Sequence, residues 1–303
     1  MTILNVDNTK MKKILIFIGI VSVFSLSCNK DPYMPKNPAT HIELSSPNSS
    51  NIGGDNDGKP TLSSLRIMTY NIHICNPPSK PGQVDTMAVA NAIKQGNPDI
   101  VFLQEVDNGT GRNGYRGDMA LTLGRLTNMN AVFFSAIATG SGYYGPAMLS
   151  KYPMKNIRKY LLTKESEATE QRVLGTAIVD LPGVDSVLAA VTHLQHNSAT
   201  NRVQQVKDII NHLGPQNLKT VFGADLNEFE TTTTFMNIFD GTFNRTCVGG
   251  NCPKTFSAQN PQSVIDYLAY KPSSAFSVNS HAIIPEFYAS DHLPIIAELK
   301  INR

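Results

Sequence analysis

Two packed β-sheets with helices on their outer faces is the fold class the sequence predicts. Short runs of apolar and β-branched residues recur from Leu65 to Leu299, and stretches between them carry apolar residues at helical spacing. No internal repeat breaks the series. Leu65 to Ile72 reads as a strand buried on both faces. Met87, Ala90 and Ile93 then recur at a spacing of three, a helical pattern that Gly96 and Pro98 end. Ile100 to Leu103 is a second buried strand. Met119, Leu123 and Leu126 mark a second helix with Asp118 near its start. Four strand-like runs follow, at Ala131 to Ala136, Gly145 to Leu149, Ile157 to Leu162 and Val173 to Val179, and Pro153, Pro182 and Gly183 supply turns between or after them. Val187 to Val191 leads into His193. Val203, Val206, Ile210 and Leu213 form a third helical face with Ser198 or Thr200 as its cap. Leu218 to Phe222 leads into Asp225, and Val264 to Leu268 and Ile295 to Leu299 close the chain.

The amino terminus sets an address. Lys12 and Lys13 precede an apolar run from Ile14 to Phe24, then Ser25-Leu26-Ser27-Cys28, which reads as a charged region, a hydrophobic region and a cleavage site. The run is too short for a bilayer-spanning helix of about 20 residues. The site resembles the bacterial lipoprotein lipobox, with Ser25 where that family usually has Leu. Residues 1–27 are therefore expected to be a lipoprotein-type signal peptide and Cys28 the lipidated residue, which implies an exported protein anchored in the bacterial cell envelope. An ordinary secretory signal cut nearby is the alternative. Residues 28–61 are rich in Asn, Asp, Pro, Ser and Gly and have too little apolar surface to offset ordering, so they read as a flexible tether. Residues 62–303 are long enough for one large core.

Charge narrows the partners. The chain has 26 Lys and Arg against 24 Asp and Glu. Removing residues 1–27 takes away Lys10, Lys12, Lys13 and Asp7, leaving 23 of each and a formally neutral protein. No run of five or more basic residues marks a nucleic-acid stripe, although a local patch can still form in three dimensions. No protein partner is read from the sequence. Cys247 and Cys252 flank a Val-Gly-Gly-Asn turn; a disulfide suits an exported protein better than zinc, since no second pair completes a zinc site. Cys75, with no base motif beside it, reads as a packed thiol.

The chemistry sits where the strand-like runs end. Asn71, Glu105, His193 and Asp225 with Asn227 each end such a run, Asp266 lies within Val264 to Leu268, and the adjacent Asp291 and His292 come just before Ile295. A phosphoester resists hydrolysis because its anionic oxygens repel hydroxide, so a catalyst must neutralise charge, deprotonate water and stabilise the leaving oxygen. Mg2+, with Mn2+ as a substitute, suits the first task and takes oxygen ligands. Glu105 is the expected ligand, with Asn71 as a carbonyl donor and Asp291 at a second metal position or the leaving group. Asp225 is the candidate base, Asn227 a group holding the water or a phosphate oxygen. His193 and His292 are candidate phosphate donors, and Asp266 the partner fixing the His292 tautomer. Each residue alone has an ordinary explanation: a solvated Glu, a turn Asn, a satisfied His, or an Asp225 capping a helix around Glu228 to Thr234. Five such coincidences at strand ends are harder to accept.

Together, Met68-Thr-Tyr-Asn71-Ile, Pro98-Asp-Ile-Val-Phe-Leu-Gln-Glu105-Val, Thr192-His193-Leu, Gly223-Ala-Asp225-Leu-Asn227, Ile265-Asp266-Tyr267 and Ser290-Asp291-His292-Leu-Pro294 resemble, in order, the endonuclease/exonuclease/phosphatase (DNase I-like) superfamily. Gly145 to Pro153 resembles its G-x-A-x-L-S-R-x-P segment, with Lys151 for Arg, and Thr255-Phe256 also fits. The resemblance covers about residues 65–300. It implies a four-layer α/β sandwich of two mixed sheets face to face, Mg2+ on Glu105, water positioned by Asp225 and Asn227, and a His292–Asp266 pair. It also implies a phosphate contact for Arg172, for which a surface arginine is the alternative, and a site role or a packing role for Tyr143 or Tyr144. Three functional readings follow: an exported Mg2+-dependent phosphodiesterase acting on a lipid head group or small phosphoester, a secreted nuclease, or a catalytically silent surface binding module. Neutral charge and the membrane tether favour the first, and the intact residue set disfavours the third.

Overall fold

The computed structural model describes residues 57–166 and 168–303; the expected signal peptide, Cys28 and most of the expected tether lie outside them. Two mixed sheets stack face to face. The first runs β12 (Phe276–Ile283), β13 (Ile295–Ile301), β1 (Ser64–Asn71), β2 (Ile100–Asn108), β5 (Gly142–Ser150) and β3 (Asn130–Phe133), with β4 (Ile137–Thr139) also on β5. The second runs β10 (Asn244–Arg245), β11 (Asp266–Lys271), β9 (Thr220–Asp225), β8 (Ser186–His193), β7 (Val173–Asp180) and β6 (Met154–Leu161).

Each sheet has one parallel pair at its centre, β1 with β2 and β8 with β9. Parallel neighbours need a crossover. Helix α1 (Thr86–Gly96) lies in the first and α3 (Ala199–Leu213) in the second, while α2 (Met119–Thr127) and α4 (Thr233–Asp240) complete the outer layers. Asp85, Asp118 and Ser198 cap α1, α2 and α3 by accepting the N–H of Ala88, Leu121 and Asn201. Asn97, left-handed at φ 47° and followed by Pro98, stops α1.

Three apolar zones explain why the strand sequences are hydrophobic on both faces. Ile67, Phe102, Val191 and Val221 meet between the sheets. Val101 and Leu103, pointing the other way from Phe102, pack under Ala90, Ile93 and Leu123 of the helices. Phe222 and Ala224 pack under Val206, Ile209, Phe235 and Phe239. The result is the expected four-layer sandwich. Sheet contact is closest at Gly223, where an added Cβ would sit 2.2 Å from Phe102 Cδ2.

Some elements differ from the sequence expectation. The run Ala131 to Ala136 ends as a strand at Phe133, and β11 starts at Asp266 rather than Val264. Strand β12 and helix α4 are additional, and α4 begins at Thr233 after Thr232, so Asp225 caps no helix. Asp57 accepts the Gly183 N–H at 2.9 Å, so the folded unit begins ahead of residue 62. Cys247 and Cys252 are disulfide-bonded and Cys75 is buried, with burial pushing its thiol far above the reactive range. No described helix is long and apolar enough to cross a membrane.

Candidate active site

The register of the second sheet places three titratable groups in a row. Asp225 ends β9, with His193 opposite it on β8 and Asp266 opposite it on β11. From the first sheet, β1 delivers Asn71 at its end. Glu105 arrives differently from the expected strand tip: β2 continues to Asn108, and Glu105 sits in a bulge between Leu103 and Val106 with φ 57°. A left-handed non-glycine residue costs about 1–3 kcal/mol and persists where its surroundings hold it. Here the bulge frees Glu105 from strand alternation, and it meets Asn71.

Asn71 joins the two sheets. Its Nδ2 donates to Glu105 Oε1 at 3.1 Å and to Asp225 Oδ2 at 3.0 Å. Its side-chain oxygen Oδ1 accepts the His73 N–H at 3.1 Å. Where a carbonyl ligand was expected, the structure turns the Asn71 amide nitrogen toward both carboxylates, its N–H groups meeting two acceptors. Ser290 fixes the Asn71 backbone, its hydroxyl donating to the main-chain carbonyl oxygen at 2.8 Å while accepting the His292 N–H at 3.2 Å.

Asp225 is held from several sides. Its Oδ1 accepts the Asn227 N–H at 2.8 Å, and its Oδ2 lies 3.5 Å from His193 Nε2 and 3.8 Å from His292 Nε2. His292 Nδ1 donates to Asp266 Oδ2 at 2.9 Å, and the Thr255 hydroxyl donates to the same oxygen at 2.5 Å. The Phe256 ring lies against His292, centroids 4.8 Å apart.

These surroundings push the groups apart electrostatically. Burial, then the charge of Asp266, lifts Asp225 to about 7 despite its hydrogen bonds and the nearby His292. Burial opposes a charge on His292, but the Asp266 charge and hydrogen bond, with Asp225, hold it up at about 10. His193 goes the other way: burial first, then Arg172 and His292, keeps it well below 6.5 and neutral. Asn227 Nδ2 donates to the Leu194 carbonyl at 3.1 Å and lies 2.9 Å from His193 Nε2. That makes Nε2 the acceptor and puts the proton on Nδ1, which has no partner among the described residues.

Two arrangements bear on a divalent cation. Asp225, Asp266 and His292 offer buried ligand atoms within 4.8 Å of one another. Their donor chemistry does not suit a metal, because Asp266 Oδ2 already holds Thr255 and a charged His292 whose proton the ion would have to displace. Glu105 and Asp291 suit it better. Both are partly exposed carboxylates lining one cleft of about 350 Å³, and no Lys or Arg among the described residues pairs with either. Hard oxygens open to solvent are what Mg2+ and Mn2+ bind.

Arg172 is no surface residue: it is 3% exposed, lines the same cleft, and donates to Glu170 at 2.6 Å and Gln195 at 3.3 Å. Tyr144 lines the cleft, whereas Tyr143 packs toward α1 and α2. Sequence reasoning assigned no role to Ser290, Glu170, His196 or Phe256. Ser290 and Phe256 stand within the motifs quoted above and Glu170 lies two residues from Arg172, whereas His196 carried no local signal.

No curated protein matches the chain. Solved structures share its fold. An endonuclease/exonuclease/phosphatase from Beutenbergia cavernae is 23% identical with a TM-score of 0.64, covering 80% of this chain and 72% of that one. Another from Bacteroides vulgatus is 18% identical with a TM-score of 0.65, covering 80% and 100%. The mannosyl-6-phosphatase of Bacteroides thetaiotaomicron is 17% identical with a TM-score of 0.61, covering 78% and 99%. At these identities the likeness establishes architecture. Membership comes from the family model described as Endonuclease/Exonuclease/phosphatase family, which matches residues 68–292 and so takes in the second sheet, most of the first and the whole residue set above. The chain belongs to the endonuclease/exonuclease/phosphatase family, whose members are phosphoester hydrolases.

Proposed function

We propose that this protein is a divalent-metal-dependent phosphodiesterase that hydrolyses a lipid head group or other small phosphoester, with Asp225 accepting the proton of the attacking water. One observation carries the reading. Asp225 is buried, lifted to about 7, and flanked by a neutral His193 and a charged His292, at the edge of a cleft that also holds Glu105. A base near neutrality beside an acid that keeps its proton is the division of labour that general acid–base hydrolysis requires.

Glu105, with Asp291 in the same cleft, would hold Mg2+ or Mn2+, which supplies charge neutralisation at the phosphate. The chain's own residues perform the rest. Ionised Asp225, oriented by the Asn71 amide and the Asn227 N–H, takes a proton from water. His292, kept charged by Asp266, donates toward a phosphate oxygen, and the neutral His193 is held beside Asp225 by Asn227 Nδ2 at its Nε2. Asn227 fixes both Asp225 and His193.

The cleft favours a compact substrate. Arg172 is already neutralised by Glu170, so the lining has no excess of cations to follow a polynucleotide backbone. A lipid anchor at Cys28, as the sequence suggests, would keep the site near membrane phosphoesters. Because one protein of similar fold is named a mannosyl-6-phosphatase, a sugar phosphomonoester belongs in the test. The experiment is a panel of bis(4-nitrophenyl) phosphate, sphingomyelin, mannose 6-phosphate, inositol phosphates and plasmid DNA, with Mg2+ and with chelator. Chelator-sensitive cleavage of diesters, reduced at least a hundredfold by Glu105→Gln, is expected. Equal rates with and without chelator would refute the metal, and rapid DNA nicking with no lipid or small-ester turnover would establish a nuclease instead.

A further inference from the structure

A second hollow, of about 220 Å³, opens from the cleft: Glu105, Tyr144 and Glu170 line both. Its far wall carries His73, Ile74, Arg112 and Thr139. None of these four has a task in the chemistry above, yet Arg112 and the His73–Ile74 turn are held in place.

Arg112 is the most constrained. Asp107, 1% exposed, takes its Nε at 2.9 Å and its Nη2 at 2.5 Å, and Asp107 is itself gripped by the Thr110 hydroxyl at 2.6 Å. The guanidinium also lies over the Tyr144 ring, 5.0 Å from the centroid. This bidentate clamp leaves Nη1 with no partner among the described residues, on a side chain that is 40% exposed. His73 is fixed too. Its Nδ1 donates to the Asn76 carbonyl at 2.8 Å and lies 4.0 Å from Asp291 Oδ1, which leaves Nε2 for another partner. Its turn is held in a costly shape, since His73, Ile74 and Cys75 have φ of 46°, 50° and 53°, a region a β-branched residue rarely enters.

The hollow therefore mixes donors and acceptors. Arg112 donates, Glu170 accepts, His73 and Thr139 can do either, and Ile74 and Ile137 add apolar surface. A second phosphate, which only accepts, would meet the carboxylates of Glu105 and Glu170. A hydroxyl both donates and accepts, and a ring of them presents apolar C–H faces as well. We infer that this hollow is a subsite for a polyhydroxylated ring, a sugar or cyclitol, on the substrate, and that Arg112 is its specificity-determining residue. The inference rests on the phosphoester hydrolase reading for its reaction but not for its binding.

Two measurements separate them. The first is the ratio of kcat/KM for 4-nitrophenyl myo-inositol 1-phosphate to that for bis(4-nitrophenyl) phosphate, which has no hydroxyls. Wild type should prefer the polyol ester at least tenfold; Arg112→Met should lower that ratio about tenfold and Thr139→Val about threefold. Thr139→Val leaves the Asp107–Arg112 pair intact, so misfolding cannot explain its effect. The second is calorimetric binding of myo-inositol 1-phosphate, which should weaken about tenfold in Arg112→Met whether or not either ester turns over. Absent turnover with that binding loss intact would sink the hydrolase reading alone. Wild-type hydrolysis without polyol preference, or a ratio unmoved in both variants, would overturn the subsite.

Discussion

Replacing Asp266 by Asn tests how the site keeps a charged imidazole in a buried place. The exchange keeps the side chain's shape and removes one charge. In the wild type, Asp266 is 1% exposed and accepts His292 Nδ1 at 2.9 Å, and His292 titrates at about 10 although its burial alone would lower it. The distance between 10 and the ordinary 6.5 corresponds to on the order of 5 kcal/mol favouring the imidazolium. Asp225, 3.8 Å from Nε2, keeps a minor share of this, so in Asp266→Asn His292 should titrate in or below the neutral range. The sign for stability follows. Raised above its unfolded value, His292 contributes fully below pH 6.5, and the contribution disappears as pH rises through about 10. The urea midpoints of wild type and variant should therefore differ most below pH 6.5 and converge toward pH 10. The direct assay is an NMR titration of the His292 ring protons, paired with kcat at pH 8. A fall of about 10²–10⁴ in kcat is expected for losing a positioned acid. If His292 in the variant still holds its proton at pH 8, the Asp266 charge is not what maintains it and the reasoning fails.

Other outcomes follow from the same geometry. The kcat/KM profile should rise with pH through about 7 as Asp225 ionises and fall near 10 as His292 loses its proton; a flat profile from pH 5 to 9 would exclude Asp225 as the base. Cys247→Ser with Cys252→Ser removes a link spanning five positions, so urea unfolding should show a loss of about 2 kcal/mol; an unchanged midpoint would mean the loop is held without it. Gly223→Ala puts a methyl 2.2 Å from Phe102 Cδ2, and overpacking of about 1–3 kcal/mol or more should appear as a lowered Tm; an unchanged Tm would mean the sheets can separate without cost.

The architecture was largely legible because burial on both faces makes central strands continuous apolar runs. Ile100 to Leu103 and Val187 to Val191 are such runs, and the polar groups after them stand out by contrast. Strand β12 was hidden for the opposite reason: it lies at a sheet edge with only Phe276 buried, and Ser277, Asn279 and Ser280 interrupt any apolar run. In the site, the residues at strand ends could be named, and the fold brings Asn71, Glu105, His193, Asp225, Asn227, Asp266, Asp291 and His292 to one region. Their hydrogen-bonding directions could not be read. Which end of the Asn71 amide faces Glu105 depends on two carboxylates 34 and 154 residues away. The Glu105 bulge depends on pairing with β5, and the Arg112 clamp on a buried Asp107 that looks like any loop acid in one dimension.

The central claim is that one buried carboxylate, Asp225, removes the proton while the opposite sheet supplies the cation-binding acid. The most direct test is the Mg2+-supported rate of bis(4-nitrophenyl) phosphate hydrolysis by Asp225→Asn beside wild type, with Mg2+ affinity measured on the same samples. A drop of at least a hundredfold in kcat with Mg2+ affinity retained is the predicted result. A variant that turns over at the wild-type rate would contradict the account.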